Sequence, residues 1–247
     1  LTEFDTPVPE AILRTVRLHI HLGFGAEARQ YLQLLGSRRA GQAAVLGEHQ
    51  LGLTHARLRA IRQTHAPLLV FVDDDNVLCP EYLQRALEIF ETKPFLGVIG
   101  GKCLGKYEVK PPRWSYRFLP YMAVADHGTH PIWAYHRATY QPWFPYGAGM
   151  VLRREVALEY ARQLECSPER KLYGRKGRLL TSSEDIDMVF TAIEQGYAVG
   201  YFPQISLQHL IPAERLLFGY MSRLVFHAHR SVYHLMMERR IHERPRR

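Results

Sequence analysis

The sequence predicts a layered α/β fold with a mainly parallel central sheet. The continuous apolar run 68–72 (Leu-Leu-Val-Phe-Val) indicates a buried strand, because a strand covered on both faces has no polar alternation. Segments of this kind alternate with segments of helical period, which is typical of α/β proteins. The length of 247 residues suits one large domain, or one domain with an appendage.

The first half of the chain contains predicted elements of both kinds. Helices are expected at 9–20, which has Pro-Glu near its start, and at 53–63, where apolar residues recur on one face. A further helix at 81–91 follows a proline, which suits the first turn of a helix. Between them, 68–72 and 97–101 are the expected strands. Weaker patterns predict a helix at 26–35 and a short strand at 43–46.

The second half continues the alternation. Residues 111–145, rich in proline and aromatic side chains, are expected to form a long irregular stretch of the kind that often serves as a binding loop. The remaining expected elements are strands at 147–152, 198–202 and 205–209, and helices at 155–164, 183–195 and 212–237.

Three consecutive carboxylates, Asp73, Asp74 and Asp75, follow the strand 68–72 directly. Ligands of open α/β sheets bind just beyond the carboxyl ends of such strands. Acids this close repel one another unless a cation offsets their charge. Aspartates at strand ends also form turns and helix caps, which is the competing interpretation. The run of three favours a site for Mg²⁺ or Mn²⁺ that carries a phosphorylated substrate.

A second acidic motif, Glu-Asp-Ile-Asp at 184–187, opens a predicted helix. Acids in a first helical turn favour the helix dipole, and Ser182 or Ser183 can cap it, which explains one or two of them. Three acids in four residues, beside the basic loop 167–180, indicate a further role. One carboxylate is a candidate general base that accepts a hydroxyl proton and orients the attacking oxygen.

Two single residues give weaker signals. His209 follows a strand-like segment, where an isolated histidine is more often a packed or surface residue than a metal ligand. Arg57 lies one helical turn beyond Gly52, and a helix N-terminus with an arginine suits a diphosphate.

Charge and cysteine content bear on the environment. The net charge is +8, and residues 239–247 hold five arginines and one glutamate. Such a basic end suits an anionic membrane, nucleic acid or a phosphorylated substrate, or is simply solvated. No nucleic-acid-binding motif accompanies it, so no nucleic-acid partner is expected. The three cysteines lack CxxC spacing and no apolar run has the length of a membrane span, which predicts a cytoplasmic protein.

In order and spacing, these motifs resemble glycosyltransferase family 2, which has the GT-A fold. The resemblance runs from Leu51 to about Arg215. The segment 111–114 (Pro-Pro-Arg-Trp) and His-Leu-Ile-Pro from His209 most resemble bacterial enzymes that build cell-surface or exported polysaccharide. The matching stretches are Gly-Leu-Thr-His-Ala-Arg (52–57), Phe-Val-Asp-Asp-Asp-Asn (71–76), Gly-Ala-Gly-Met-Val-Leu-Arg-Arg (147–154), Ser-Glu-Asp-Ile-Asp (183–187) and His-Leu-Ile-Pro-Ala-Glu-Arg (209–215).

The resemblance implies a role for each acid of the first motif. Asp73 and Asp75 would be the outer acids of a DXD-type motif that holds Mn²⁺ or Mg²⁺ and the donor diphosphate. His209 would be a further metal ligand. Asp74 would lie beside them, near the ribose or the sugar.

The resemblance also implies an inverting transfer from a nucleoside-diphosphate sugar to a hydroxyl of a glycan or lipid-linked acceptor. Asp185 would be the catalytic base, and Glu184 would orient acceptor or sugar hydroxyls. Arg57 and Arg215 would face the diphosphate. The backbone would pass close to the donor sugar at two glycines, Gly147 and Gly149.

Residues 1–215 are expected to form the catalytic domain, and 216–247 a basic amphipathic helix and tail that contacts anionic membrane from the cytoplasmic side. The family usually begins with a strand ending in Pro-x-Tyr-Asn, followed by a strand whose acid contacts the nucleobase. Residues 1–50 show neither pattern, so this nucleotide-binding half is expected to be atypical or incomplete.

Two other functions stay open at this point. One is nucleotidyl transfer on a related fold, against which the missing glycine-rich pyrophosphate loop counts. The other is a non-catalytic module that grips glycan through Trp114, Trp133 and Trp143.

Overall fold

A computed structural model describes part of the chain. The described residues are 53–135, 140–167, Arg170, Gly174 and 180–241, with the backbone alone of 16–21. The predicted helix at 26–35, the predicted strand at 43–46 and most of the basic loop 167–180 lie outside these residues.

The described residues form one mixed sheet in which the four longest strands share a direction. The strands are β1 Val16–His21, β2 Leu68–Asp73, β3 Asn76–Leu78, β4 Leu96–Tyr107, β5 Ile132–Ala134, β6 Val151–Arg153 and β7 Ala198–Ile211. Their order is β1-β2-β6-β4-β7-β3, with β5 paired to β7. β1 is parallel to β2 and β4 to β7, and the short β6 runs antiparallel between β2 and β4. The predicted α/β fold with a mainly parallel sheet is therefore confirmed.

Helices cover both faces of this sheet. They are α1 Leu53–Gln63, α2 Tyr82–Thr92, α3 Arg154–Cys166, α4 Glu184–Glu194 and α5 Phe218–Glu238, with 3₁₀ segments at Arg113–Met122 and Ala213–Leu216. The first four agree with their predicted ranges to within two residues. The last was predicted to begin at Pro212, but a 3₁₀ turn and the extended residue Leu217 precede it.

The helix predicted at 9–20 is wrong in its second half. Residues Val16–His21 are strand β1, paired in parallel register from Val16 opposite Leu68 to His21 opposite Asp73. Val16 and its neighbours alternate apolar and polar residues with a period of two, which is the pattern of a strand. β2 therefore has a parallel neighbour on its N-terminal side, although the family's usual sequence pattern is missing there.

The two strands predicted at 198–202 and 205–209 are one strand, β7. Its pairing with β4 shifts register where Gly100 and Lys102 face Tyr201 and Ser206. The shift accommodates the intervening residues, so the strand continues without a break between the two predicted segments.

The core explains why β2 has no polar alternation. Leu69 and Phe71 pack in a cluster with α3 and α4. Leu68, Val70 and Val72 pack in a second cluster with α2, on the other face of the sheet. Each fully buried side chain of this size contributes about 1.5–3 kcal/mol through the hydrophobic effect.

α5 packs on the same body. Leu235 and Met236 belong to the main core cluster, and Leu224 packs with Leu119 and Met122 of the 3₁₀ segment. The domain boundary predicted after residue 215 stays a prediction. None of the described helices combines the length and the apolar character that a membrane span needs.

Candidate active site

The acid turn after β2 is fixed by its pairing with β7. β3 sets Asn76 opposite His209, and the Leu210 N–H donates to the Asp75 carbonyl at 2.8 Å. The Asn76 side chain closes the turn, since its Oδ1 accepts the Asp73 N–H at 3.2 Å and its Nδ2 donates to Asp75 Oδ1 at 3.1 Å. The segment therefore forms a turn and also presents a cluster of acids. Its pairing with β7 places His209 beside Asp75.

Asp75 is the most firmly held acid of the turn. Its Oδ2 accepts a hydrogen bond from Arg215 Nη1 at 2.7 Å and lies 3.2 Å from His209 Nε2. Burial alone would raise the pKa of Asp75, but His209 and Arg215 outweigh it and lower the pKa to about 2. The other ring nitrogen of His209, Nδ1, is buried and has no hydrogen-bond partner among the described residues.

Burial and repulsion between the acids of the turn raise the pKa of Asp74. Burial, Asp75 and Asp73 together raise the pKa of Asp74 to about 6, and Arg215 opposes them only in part. A cation bound at this turn would relieve that repulsion and keep Asp74 ionised.

The residues predicted to hold a divalent cation fit one in their donor types. Carboxylate oxygens and an imidazole nitrogen suit Mn²⁺ and Mg²⁺. Asp75 and His209 lie next to each other, whereas no three His, Cys, Asp or Glu side chains in the described ranges converge on one point. Mg²⁺ is commonly held by one or two carboxylates together with substrate phosphates. These residues therefore fit a metal site in which phosphate oxygens of the donor would supply the remaining ligands. Metal binding itself stays a prediction.

The N-terminus of α4 presents the second acid motif to the same cleft. Asp185 is half-buried; its Oδ2 accepts the Gly147 N–H at 3.0 Å and its Oδ1 the Ile186 N–H at 2.8 Å. Glu184 is only 5% exposed; its Oε1 accepts a hydrogen bond from Arg57 Nη1 at 3.0 Å. Burial raises the pKa of Glu184, Arg57 opposes this, and Asp185 adds to it.

Arg57 joins the two acid motifs. It is 3% exposed, and its Nη2 lies 3.8 Å from Asp73 Oδ1 while its Nη1 holds Glu184. Its guanidinium carbon lies 5.1 Å from the centre of the Phe71 ring. Burial alone would lower the pKa of Arg57, but Glu184, Asp73 and Asp185 raise it. A Cβ on Gly147 would come within 2.6 Å of Arg57 Nη2, so the glycine leaves room for the guanidinium.

Asp187, the third acid of the second motif, has a structural role. It is fully buried and accepts hydrogen bonds from Arg170 Nη2 at 2.6 Å and from Arg239 Nε at 2.5 Å. These contacts tie α4 to the basic loop and to the end of α5. The three acids therefore do not act as one group.

The predicted site residues line one open cleft of about 420 Å³, with a single exception. Gly149 lies behind the wall, where its N–H donates to the Phe71 carbonyl and its own carbonyl accepts the Tyr82 hydroxyl. Its φ of 75° is a conformation that favours glycine. The predicted residues at the cleft are Arg57, Asp73, Asp74, Asp75, Gly147, Glu184, Asp185, His209 and Arg215.

Several cleft residues carry no recognisable sequence signal. Tyr121, Tyr140, Tyr146 and His229 line it, and the Tyr121 hydroxyl lies 2.7 Å from His229 Nε2. Burial raises the pKa of Tyr140 to about 12, so its hydroxyl stays a proton donor. His229 belongs to α5, whose histidines show no ligand spacing, and only the packing of α5 on the 3₁₀ segment brings it to the cleft.

Clustered acids and arginines at the carboxyl end of a strand in a layered sheet define a class of α/β proteins that bind phosphorylated ligands. The family model described as "Glycosyltransferase like family 2" matches residues 40–225. The chain therefore belongs to the family 2-like glycosyltransferases, and its layered sheet is the GT-A fold that the resemblance implied. No curated protein sequence matches the chain.

Among solved structures, the chain is similar to three crystal structures of S. aureus TarS 1-349. The first is 15% identical with a TM-score of 0.46, covering 90% of this chain and 57% of that one. The complex with UDP-GlcNAc is 14% identical with a TM-score of 0.45, covering 83% and 51%. The complex with UDP is 14% identical with a TM-score of 0.46, covering 89% and 57%. The chain thus spans between 51% and 57% of the length of those chains.

Proposed function

We propose that the chain transfers a sugar from a nucleoside-diphosphate sugar to a hydroxyl of a glycan or lipid-linked acceptor, in surface polysaccharide biosynthesis. The transfer inverts the anomeric carbon and uses Mn²⁺ or Mg²⁺. The observation that carries the proposal is that both acid motifs line one cleft and Arg57 contacts both of them. Peripheral contact with an anionic membrane, on its cytoplasmic side, is part of the proposal because lipid-linked acceptors lie there.

Asp185 is the proposed base. It takes the proton of the acceptor hydroxyl while that oxygen attacks the anomeric carbon. The N–H groups of Gly147 and Ile186 orient the carboxylate. An ionised carboxylate has about four acceptor positions, so these two bonds leave room for the hydroxyl. Glu184, which Arg57 holds in place, orients acceptor or sugar hydroxyls.

The other end of the cleft is proposed to bind the diphosphate, with Asp74 near the ribose or sugar. Arg57 and Arg215 supply fixed positive charge toward the oxygens that become negative as the C–O bond breaks. Asp73, Asp75 and His209 would hold the divalent ion, which when bound neutralises the departing diphosphate. No covalent enzyme intermediate is needed, because a single displacement inverts the configuration.

The glycan-binding module is less well supported, because the three tryptophans lie in three different settings. Trp114 packs against Phe218, and Trp133 against Phe95. Trp143 is partly buried against the main core cluster. These side chains do not share one exposed face that a glycan chain would cover.

The proposal is tested by titration calorimetry with Mn²⁺ and a panel of nucleotide sugars, together with a transfer assay. Asp185→Asn is expected to abolish transfer and leave metal-dependent donor binding largely intact. Asp75→Ala is expected to weaken metal and donor binding together, because the turn loses the acid that Arg215 and His209 hold. Glu91→Gln, an exposed change on α2, is the matched control and should alter neither quantity.

Two results would contradict the proposal. The absence of metal-dependent donor binding by the unmodified chain would exclude sugar transfer by this mechanism. Turnover that survives Asp185→Asn would mean that another group takes the proton.

A further inference from the structure

Large apolar side chains lie along the outward face of α5. Phe218, Phe226, Tyr233 and Met237 are 71%, 63%, 63% and 52% exposed. At 3.6 residues per turn they fall within an arc of about 100°. Single exposed apolar residues are ordinary, but an aligned set of this kind marks an interaction surface.

The opposite face of α5 is already occupied. Leu224 and Leu235 are buried, and Ala228 and Val232 line the candidate active site. α5 is therefore apolar on two sides, and packing against the domain accounts for only one of them.

The apolar strip continues onto the neighbouring 3₁₀ segment Arg113–Met122. The Trp114 ring packs edge-on against Phe218, with ring centres 5.5 Å apart, and stays 38% exposed. Tyr116 and Leu217, which are close to them in sequence, are 51% and 63% exposed. We call the set Trp114, Tyr116, Leu217, Phe218, Phe226, Tyr233 and Met237 the α5 surface.

Positive charge borders the α5 surface. Arg223 and Arg230 are exposed on α5, next to the apolar strip, and Arg113 and Arg117 are exposed on the 3₁₀ segment. Residues 218–237 contain no Asp or Glu, and neither does the 3₁₀ segment. The one acid in these two elements is Glu238, the exposed last residue of α5, so the four arginines of the border outnumber it.

We propose that the α5 surface docks on an anionic phospholipid bilayer. Its aromatic and aliphatic side chains enter the boundary between headgroups and acyl chains, and the arginines meet lipid phosphates, as in helices that lie in the membrane interface. A second copy of this chain fits less well, because a symmetric contact would bring the same arginines together. The inference rests on the proposed function, since it assigns to one surface of the chain the membrane contact that is part of that proposal.

Sedimentation with lipid vesicles tests the proposal on the whole chain, without donor or acceptor. Binding to vesicles containing phosphatidylglycerol is expected to exceed binding to pure phosphatidylcholine. The double variants Arg223→Glu/Arg230→Glu and Phe226→Ser/Tyr233→Ser should each lose roughly tenfold or more in partitioning. Leu158→Ser, at a leucine that is 41% exposed on α3, is the matched control and should bind as the unmodified chain does.

Further measurements distinguish membrane docking from misfolding, from binding of free phosphate and from self-association. Circular dichroism checks that each variant is folded, and inorganic phosphate should not displace the chain from vesicles if lipid headgroups in a surface are recognised. Equal binding to neutral and anionic vesicles, or unchanged binding by both double variants, would overturn the proposal. A dimer in light scattering that Phe226→Ser/Tyr233→Ser abolishes would instead assign the surface to self-association. Vesicle binding needs no turnover, so its failure is distinct from failure of the proposed transfer.

Discussion

Replacing Arg57 with methionine removes the cation that joins the two acid motifs. Arg57 is 3% exposed and its partner Glu184 is 5% exposed, so little solvent reaches the pair. Methionine keeps much of the aliphatic length and packs beside Phe71, which isolates the effect of charge.

The expected loss follows from the burial of the pair. Removing one partner of a buried ion pair costs about 3–5 kcal/mol, because the remaining charge is left without compensation. Arg57→Met should lower the free energy of unfolding by that amount. The double variant Arg57→Met/Glu184→Gln leaves no buried charge at this position, and we expect it to recover about 2–3 kcal/mol of the loss.

The pH dependence has a definite sign. Burial raises the pKa of folded Glu184 above its value of 4.5 in a model compound, so the folded state binds this proton more tightly than the unfolded state does. The resulting stabilisation is present below the unfolded pKa and is lost as pH rises through the folded pKa. Without Arg57, which opposes this shift, the folded pKa rises further. The folded pKa of Glu184 is about 7 with Arg57 present, so Arg57→Met should lose stability as pH rises from about 5 to beyond that value, by at most about 1.4 kcal/mol per pH unit.

Urea denaturation followed by tryptophan fluorescence measures these quantities at several pH values. Arg62→Met is the matched control, since Arg62 is on the same helix and its pair with Glu165 is exposed. That change should cost no more than about 1 kcal/mol. A similar cost for Arg57→Met, or a double variant no more stable than the single one, would refute the assignment of Arg57 and Glu184 as a mutually dependent buried pair.

Two further predictions concern the same region. Asp187→Asn should lower the free energy of unfolding, measured by thermal unfolding, by about 3–5 kcal/mol, because buried Arg170 loses its charged partner. The exposed control Glu91→Gln should cost nothing measurable. A melting temperature for Asp187→Asn equal to that of the unmodified chain would contradict the structural role. Gly147→Ala should reduce the rate of sugar transfer at least about tenfold by displacing Arg57, since the added Cβ would lie 2.6 Å from Arg57 Nη2. Gly219→Ala is the control and should transfer normally, because a Cβ there would meet no atom within 4 Å. Unchanged turnover in Gly147→Ala would contradict the close approach of Gly147 to Arg57.

The positions of α1 to α4 were predictable from local pattern. Residues 53–63 repeat apolar side chains at helical period, and the structure has α1 at the same residues. β1 was not predicted, because six alternating residues are a weak signal and their parallel pairing with β2 is a long-range contact. β7 was predicted as two strands because the register shift opposite β4 cannot be read from one strand alone.

The acids of the site were predictable as a group and not as individuals. Asp185 and Asp187 are neighbours in sequence, but two helical steps turn the side chain by about 200°, which sends one to the cleft and the other to the core. The helix period alone could have separated them. The contact between Arg57 and Glu184 spans 127 positions and follows only from the packing of α1 near α4.

The distribution of arginines supports Asp185 as the proton acceptor. A carboxylate held by a guanidinium has its position fixed and an oxygen occupied, which suits it to orient a substrate or to bind rather than to meet the acceptor hydroxyl. Arg57 holds Glu184, and Arg215 holds Asp75. Within the described residues the Asp185 oxygens are hydrogen-bonded by two backbone N–H groups instead, and the side chain is half-buried at the cleft wall. Arginines thus contact the acids that are proposed to orient substrate hydroxyls or to bind the metal. Neutral backbone donors contact Asp185, the acid that is proposed to accept the proton.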